Sequence, residues 1–412
     1  MRRKQPTHPG KSATKFDRRA MLAGTAALGF TLVRPQQVRG AEANSKIALG
    51  MIGCGGRGNW IAELFRKHGR YELVAAADYF RDRVEAFGKR FSIGASRCYS
   101  GLSGYRRLLE GKRDAVAIES PPYFHPEHAA AAVQSGCHVY LAKPIAVDVP
   151  GCLAIAEAGK KATTQRRCFL VDFQTRANPI YQEAVRRAHQ GDIGPLVSGE
   201  AVYYCGTTWG GDNELSRDPT NPKLRLRYWG VDRTLSGDII TEQNIHALDV
   251  ACWIIDREPL SAVGTGGRKA RGGAGNCYDH FAVIYRFRGD IVLGFNSKQY
   301  GTGYDDIGCR MFGPEGMIDT HYFGSVSIQG NKPYQGGPMN NLFTEGVVRN
   351  IAEFHDDVTQ ARYANPTVAQ SVRSNLTTIL GRTAAYRRDQ VTWQEMLKAN
   401  EKLEFDLKGL TT

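Results

Sequence analysis

Gly53-Cys54-Gly55-Gly56-Arg57-Gly58 is the feature that leaves this chain the fewest ways to fold. It follows directly on Ile47 to Ile52, a short apolar run that reads as a buried strand. It precedes an amphipathic stretch with Trp60, Ile61, Leu64 and Phe65 at helical spacing. Gly-x-Gly-x-x-Gly between a strand and a helix serves a physical purpose. The first glycine makes a tight turn, the second lets backbone approach a pyrophosphate, and the third permits close helix–strand packing. The helix N-terminus then offers free N–H groups to the anion. Alone the motif is weak in a chain with 46 glycines, but its setting strengthens it. Leu73 to Ala77 reads as a second buried strand with Asp78 at its carboxyl end, 25 residues beyond Gly53. That is close to the offset of about 20 expected for an acid that holds a ribose. A carboxylate there accepts hydrogen bonds from the adenosine 2′-hydroxyl and repels a 2′-phosphate. NAD is therefore favoured, with Arg81 and Arg83 keeping NADP as the second candidate.

The alternation continues. Ala115 to Ile118 and His138 to Leu141 read as further strands, separated by an alanine-rich helix from about Pro126 to Ser135. Such alternation implies a parallel, doubly wound sheet with ligands at the carboxyl ends of its strands. Ser120, Pro121, His125 and Lys143 all fall at such ends. With Gly53, Gly55, Arg57, Gly58 and Asp78 they form the expected cofactor-binding set.

Of the formal charge of +13, residues 1–43 contribute +7, so the excess does not mark a nucleic-acid-binding surface. That segment reads instead as an address. Arg18-Arg19 precedes the apolar run Ala20 to Val33, which is too short to span a bilayer, and Ala41-Glu42-Ala43 offers a small-x-small cleavage site. The paired arginines resemble a twin-arginine export signal, which implies a periplasmic or otherwise exported protein without membrane insertion. Nine cysteines, an odd number with no Cys-x-x-Cys pair, suit scattered buried thiols. The expected divisions are a signal at 1–43, a nucleotide-binding domain at 44–165 and a second domain at 166–412.

With these pieces placed, residues 45–412 resemble the glucose–fructose oxidoreductase / inositol dehydrogenase (Gfo/Idh/MocA) family. The resemblance rests on Gly53–Gly58, Asp78, Pro121 to His125 and Ser135 to Val139 leading to Lys143-Pro144. Gly191-Asp192-Ile193-Gly194 and Glu242-x-x-x-His246-x-x-Asp249 extend it. It implies a Rossmann domain followed by an α/β domain with a large open, mostly antiparallel sheet, a homo-oligomer (dimer or tetramer), and hydride chemistry on a sugar or cyclitol. Two departures stand out. Ala142 replaces the glutamate usual before Lys-Pro, and Glu242-Gln243-Asn244-Ile245-His246 replaces Asp-x-Gly-x-His.

Oxidising a secondary alcohol needs a base for the hydroxyl proton, and histidine suits this near neutral pH. Apolar periodicity over Ile239 to Trp253 predicts one helix starting near Thr241. Glu242, His246 and Asp249 then share a face, and the Glu242 carboxylate favours protonated His246. Such a stripe can equally be a solvated surface. The resemblance favours His246 and Glu242 as catalytic and substrate-binding residues, with Asp249 structural or orienting the imidazole. Lys143 is the expected cationic partner, stabilising developing alkoxide charge. Gln174 and Arg176 are expected to line the substrate cleft. A metal held by Glu242, His246 and Asp249 is not expected. Three functions compete: a sugar or cyclitol oxidoreductase, an NAD-dependent glycosidase or lyase working by transient oxidation, and a sugar-binding module with a dead site.

Overall fold

Ile47–Ile52 (β1) is almost wholly buried, and it lies between two other strands because every side of it must be covered. Its neighbours are Tyr71–Asp78 (β2) and Ala115–Ile118 (β4). The computed structural model describes residues 46–412 apart from Asn340, and the export signal expected at 1–43 lies outside the described residues. Cys98–Ser100 (β3), His138–Ala142 (β5) and Phe169–Asp172 (β6) complete a six-stranded sheet. Its order is β3-β2-β1-β4-β5-β6 and every pairing is parallel. This is the doubly wound order, with its switch point between β1 and β4, where a crevice opens. The crossovers include Gly56–His68 (α1), Arg81–Phe91 (α2), Gly104–Glu110 (α3), His125–Gln134 (α4) and Val149–Thr164 (α5).

After Pro179–His189 (α6) the chain builds a nine-stranded sheet. Its strands are Ser198–Cys205 (β7), Pro259–Gly267 (β8), His280–Phe287 (β9), Val292–Gln299 (β10), Asp306–Gly313 (β11), Gly316–His321 (β12), Ser325–Gly330 (β13), Tyr334–Pro338 (β14) and Val391–Thr392 (β15). The order is β14-β13-β12-β11-β7-β10-β9-β8-β15, antiparallel throughout except for the parallel β7–β10 pair. In β9 the buried and exposed residues alternate strictly, so one face is covered and the other is open. Ile239–Glu242 (α7) and Ile245–Ile255 (α8) lie on the covered side.

The chain does not divide cleanly at residue 165. β6 still belongs to the first sheet, and two late helices, Leu342–Thr359 (α9) and Pro366–Arg387 (α10), return to it. The reason is apolar cover. Val347, Ile351 and Phe354 of α9 complete the cluster around Phe65, Tyr71 and Tyr140, and Tyr71 donates its hydroxyl to the Ile351 carbonyl. α10 is buried around most of its circumference and braces both domains. Asn375 bonds the Ile145 amide and the Ala146 carbonyl, while Arg382 reaches the carbonyls of Val147 and Gly237. None of the nine cysteines forms a disulfide. Among the described residues no helix is long and apolar enough to cross a membrane.

Candidate active site

Two pockets sharing Glu119, Ser120 and Trp229 run along the carboxyl ends of the first sheet. The first is built on the glycine-rich turn. Gly53 has φ +99°, and a Cβ there would lie 2.5 Å from the backbone of Glu119 and Ser120. A Cβ on Gly58 would lie 1.9 Å from the Gly53 carbonyl oxygen, so α1 can seat only on glycine. Gly55 instead faces open space, its nearest neighbour being Arg83 Nη1 at 3.9 Å, and α1 starts there with no side-chain cap. That leaves a backbone cradle of free N–H groups, which is what a pyrophosphate needs.

Asp78 ends β2 inside this pocket. Its Oδ2 accepts the Cys54 amide and its Oδ1 the Phe80 amide, both at 2.8 Å. Each oxygen keeps a lone pair for a ribose hydroxyl. Burial pushes the Asp78 carboxyl up despite these bonds. The guanidiniums of Arg83 and Arg227 both lie over the Phe80 ring, at 4.9 and 4.1 Å from its centre. Ser120 and Pro121 line the same pocket, and Ser120 Oγ contacts His128 Nδ1 at 3.0 Å. The residues present fit an adenine dinucleotide.

The second pocket holds the polar cluster. Lys143, just past β5, is buried. Its ammonium donates to the Glu242 carbonyl and, at 3.2 Å, to Glu242 Oε1. Glu242 Oε2 accepts the indole N–H of Trp209 at 2.9 Å. Burial lowers the Lys143 pKa against the pull of Glu242, which brings the amine closer to a form that can take a proton. His246 lines the same pocket with its Nδ1 buried and without a partner, its ring edge-on to Tyr322. Burial first, then the charges of Lys143 and Arg57, hold its pKa well below the usual value. His246 is therefore neutral at neutral pH. The expectation that Glu242 would favour the imidazolium is overturned, because that carboxylate is engaged by Lys143 and Trp209.

The single helix expected from Thr241 is two helices. α7 ends at Glu242 and α8 begins at Ile245, with the amides of Gln243 and Asn244 both reaching back to the Ile239 carbonyl. Asn favours a helix boundary over an interior, and Tyr203 fixes the break by donating to Gln243 Oε1 at 3.0 Å. The break turns the Glu242 carbonyl toward Lys143 while His246, in the first turn of α8, still faces the pocket.

Four expected site residues sit differently. The Arg57 guanidinium is not at the start of α1. It lies across the second pocket, with Nε 2.9 Å from Glu119 Oε2 and Nη2 2.5 Å from Asp172 Oδ2, because two buried carboxylates, one after β4 and one at the end of β6, draw it there. His125 is a brace: its ring nitrogens meet the backbone carbonyls of Pro144 and Ser120 at 2.8 and 2.6 Å, and burial pushes its pKa down to about 4. Arg176 lies away from the cleft in a two-pronged pair with Asp249, which Ser374 also caps. Asp249 thus serves Arg176 and not the His246 imidazole. Gln174 is fully buried between Asp172 and Tyr322, since the segment after β6 tucks beneath α9. Among the described residues no group of His, Cys, Asp or Glu is disposed to hold a metal.

Glu119, Asp172, Trp209 and Tyr322 are the residues that sequence reasoning missed or left unassigned. The first two carried a usable signal, an acid at the carboxyl end of a buried parallel strand.

Residues 47–170 match the family model described as "Oxidoreductase family, NAD-binding Rossmann fold", and residues 181–319 match the "GFO/IDH/MocA C-terminal domain". Inositol 2-dehydrogenase 3 of Saccharopolyspora erythraea is 26% identical over 277 residues, 66% of this chain and 72% of that one. Glycosyl hydrolase family 109 protein 3 of Phocaeicola vulgatus is 27% identical over 215 residues, 49% of this chain and 36% of that one. Among solved structures, aldose–aldose oxidoreductase from Caulobacter crescentus shares the fold with a TM-score of 0.68 at 17% identity, covering 84% of this chain and 99% of that one. With one family model on each domain, and a Rossmann sheet joined to a large mixed sheet as that pairing requires, the chain belongs to the Gfo/Idh/MocA family of oxidoreductases.

Proposed function

We propose that the protein is an NAD-dependent oxidoreductase that moves hydride between a retained nicotinamide cofactor and the carbon bearing a secondary hydroxyl of a sugar, glycoside or cyclitol. One observation carries this: the Asp78 ribose cup and the Lys143–Glu242–His246 cluster line two pockets that share Glu119, Ser120 and Trp229. NAD supplies the hydride acceptor. Lys143 and neutral His246 are the groups that hold the substrate hydroxyl and accept its proton, and Glu242 fixes the position of the ammonium. Trp209 and Tyr322 wall the pocket around them and exclude water. The cofactor assignment is tested by calorimetry. NAD should bind more tightly than NADP, and Asp78→Ala should narrow the difference. Tighter NADP binding by the parent, aided by Arg83 and Arg227, would reverse the assignment.

A glycosidase or lyase outcome, in which hydride is taken and returned within one turnover, is the second reading. The glycosyl hydrolase relative and the Glu242 carboxyl beside Lys143 favour it. Product analysis with and without added NAD separates the two: net oxidation consumes the nucleotide, and the cyclic reaction does not.

The sequence of residues 1–43 supports export through the twin-arginine pathway. Replacing Arg18-Arg19 by a lysine pair should leave the precursor in the cytoplasm, and unchanged periplasmic accumulation would dismiss that route. A homo-oligomer, dimer or tetramer, is supported by the open face of the nine-stranded sheet, where Val263, Ile284 and Val292 remain exposed. A monomer mass in light scattering would dismiss it.

A further inference from the structure

The active-site cleft contains one carboxyl that the proposed chemistry does not use. Glu119 follows β4, and its side chain is fully buried under Arg57 where the two pockets meet. Three carboxyls and two cations share this region, and their partners differ. Asp172 accepts from Arg57 and, at 2.7 Å, from Asn350. Glu242 accepts from Lys143 and Trp209. Among the described residues Glu119 has only the sidelong contact with Arg57 Nε, and neither of its oxygens accepts a hydrogen bond. It is the least compensated of the three, so a change in the charge of the cleft falls first on its proton.

We propose that Glu119 is the residue whose protonation follows the charge of the nicotinamide: ionised when the ring is oxidised and cationic, protonated when the ring is reduced and neutral. This rests on the cofactor reading given above. The balance closes within the site. The alcohol carbon gives its hydride to the ring, the hydroxyl proton leaves through Lys143 or His246, and Glu119 holds that proton until hydride returns or product leaves. The groups that face Glu119 are Arg57 from α1, Asp172 at the end of β6 and Lys143 beyond β5. Burial and Asp172 push its pKa to about 7, against the pull of Arg57 and Lys143.

The test is calorimetric titration of the full chain with NAD+ and separately with NADH, at pH 6 and pH 8, in buffers of different ionisation enthalpy. NAD+ should bind about tenfold more weakly at pH 6 than at pH 8 and release protons near pH 7, because the proton must leave before the cation is accommodated. NADH should show the reverse sign, taking up protons near pH 7 and binding more tightly at pH 6 than at pH 8, because the reduced state holds Glu119 protonated. Glu119→Gln should abolish the proton release and flatten the NAD+ pH dependence while NADH still binds. Should that variant fold poorly, the NAD+/NADH contrast in the parent decides alone. Equal pH dependence for both nucleotides, or proton release that survives in Glu119→Gln, overturns the inference and leaves the cofactor reading standing. If neither nucleotide binds, the cofactor reading itself falls, and the inference with it.

Discussion

Replacing Lys143 by methionine is expected to lower turnover by about 10²–10⁴, the range for losing a positioned proton-transfer or oxyanion-stabilising group. The methionine keeps the apolar stem but leaves the Glu242 carbonyl and Oε1 without their donor, in a pocket where both groups are more than 90% buried. NAD affinity should change little, because the Asp78 cup and the Gly53–Gly58 cradle lie in the other pocket. His246→Asn should be of similar severity, and the double variant should lose far less than the product of the two, since both groups serve one transition state. Steady-state kinetics beside a nucleotide titration checks this. A Lys143→Met protein that turns over at the parent rate would mean that the chemistry lies elsewhere.

Arg176→Met is expected to cost about 3–5 kcal/mol of stability, the penalty for leaving one member of a buried pair uncompensated. Asp249 is wholly buried, and without Arg176 its only hydrogen-bond donor among the described residues is Ser374. Urea unfolding should show the midpoint fall sharply, with KM unaffected in whatever protein remains folded. Adding Asp249→Leu should recover part of the loss, because an apolar pair of similar volume needs no desolvation. A weakened KM with unchanged stability would return Arg176 to the cleft.

These two experiments fall on either side of the line between what could be read from the sequence and what could not. Gly53, Gly58 and Asp78 were legible because backbone geometry demands them: a positive φ, a 1.9 Å approach and a strand-end carboxylate have few chemical solutions. Lys143 and His246 were legible as motif residues and do meet in one pocket. Arg57 and Arg176 sit away from their expected places because ion pairing joins residues 115 and 73 positions apart, and nothing in local spacing reports such a partner. The break at Gln243-Asn244 was hidden by apolar periodicity that runs through it, and contacts from outside the segment, from Tyr203 on β7 and from Lys143, help hold it in place. Glu119 was passed over although it stands next to Ser120 at a strand end, the position where ligands gather in such sheets. The return of α9 and α10 to the first domain depends on which apolar surface is left bare, a property of the assembled sheet and not of any segment.

On the proposed function, hydride leaves the carbon that bears the substrate hydroxyl, in the pocket of Lys143, Glu242 and His246. The direct measurement is formation of reduced nicotinamide, followed by its fluorescence, when pure protein holding stoichiometric NAD is mixed with a panel of cyclitols, free sugars and glycosides. At least one compound should produce the reduced form in a single turnover, transiently if hydride is returned. The signal should vanish in Lys143→Met and His246→Asn proteins that still bind NAD. A compound transformed by the parent without any reduced nicotinamide forming, or a signal undiminished in both variants, would contradict it.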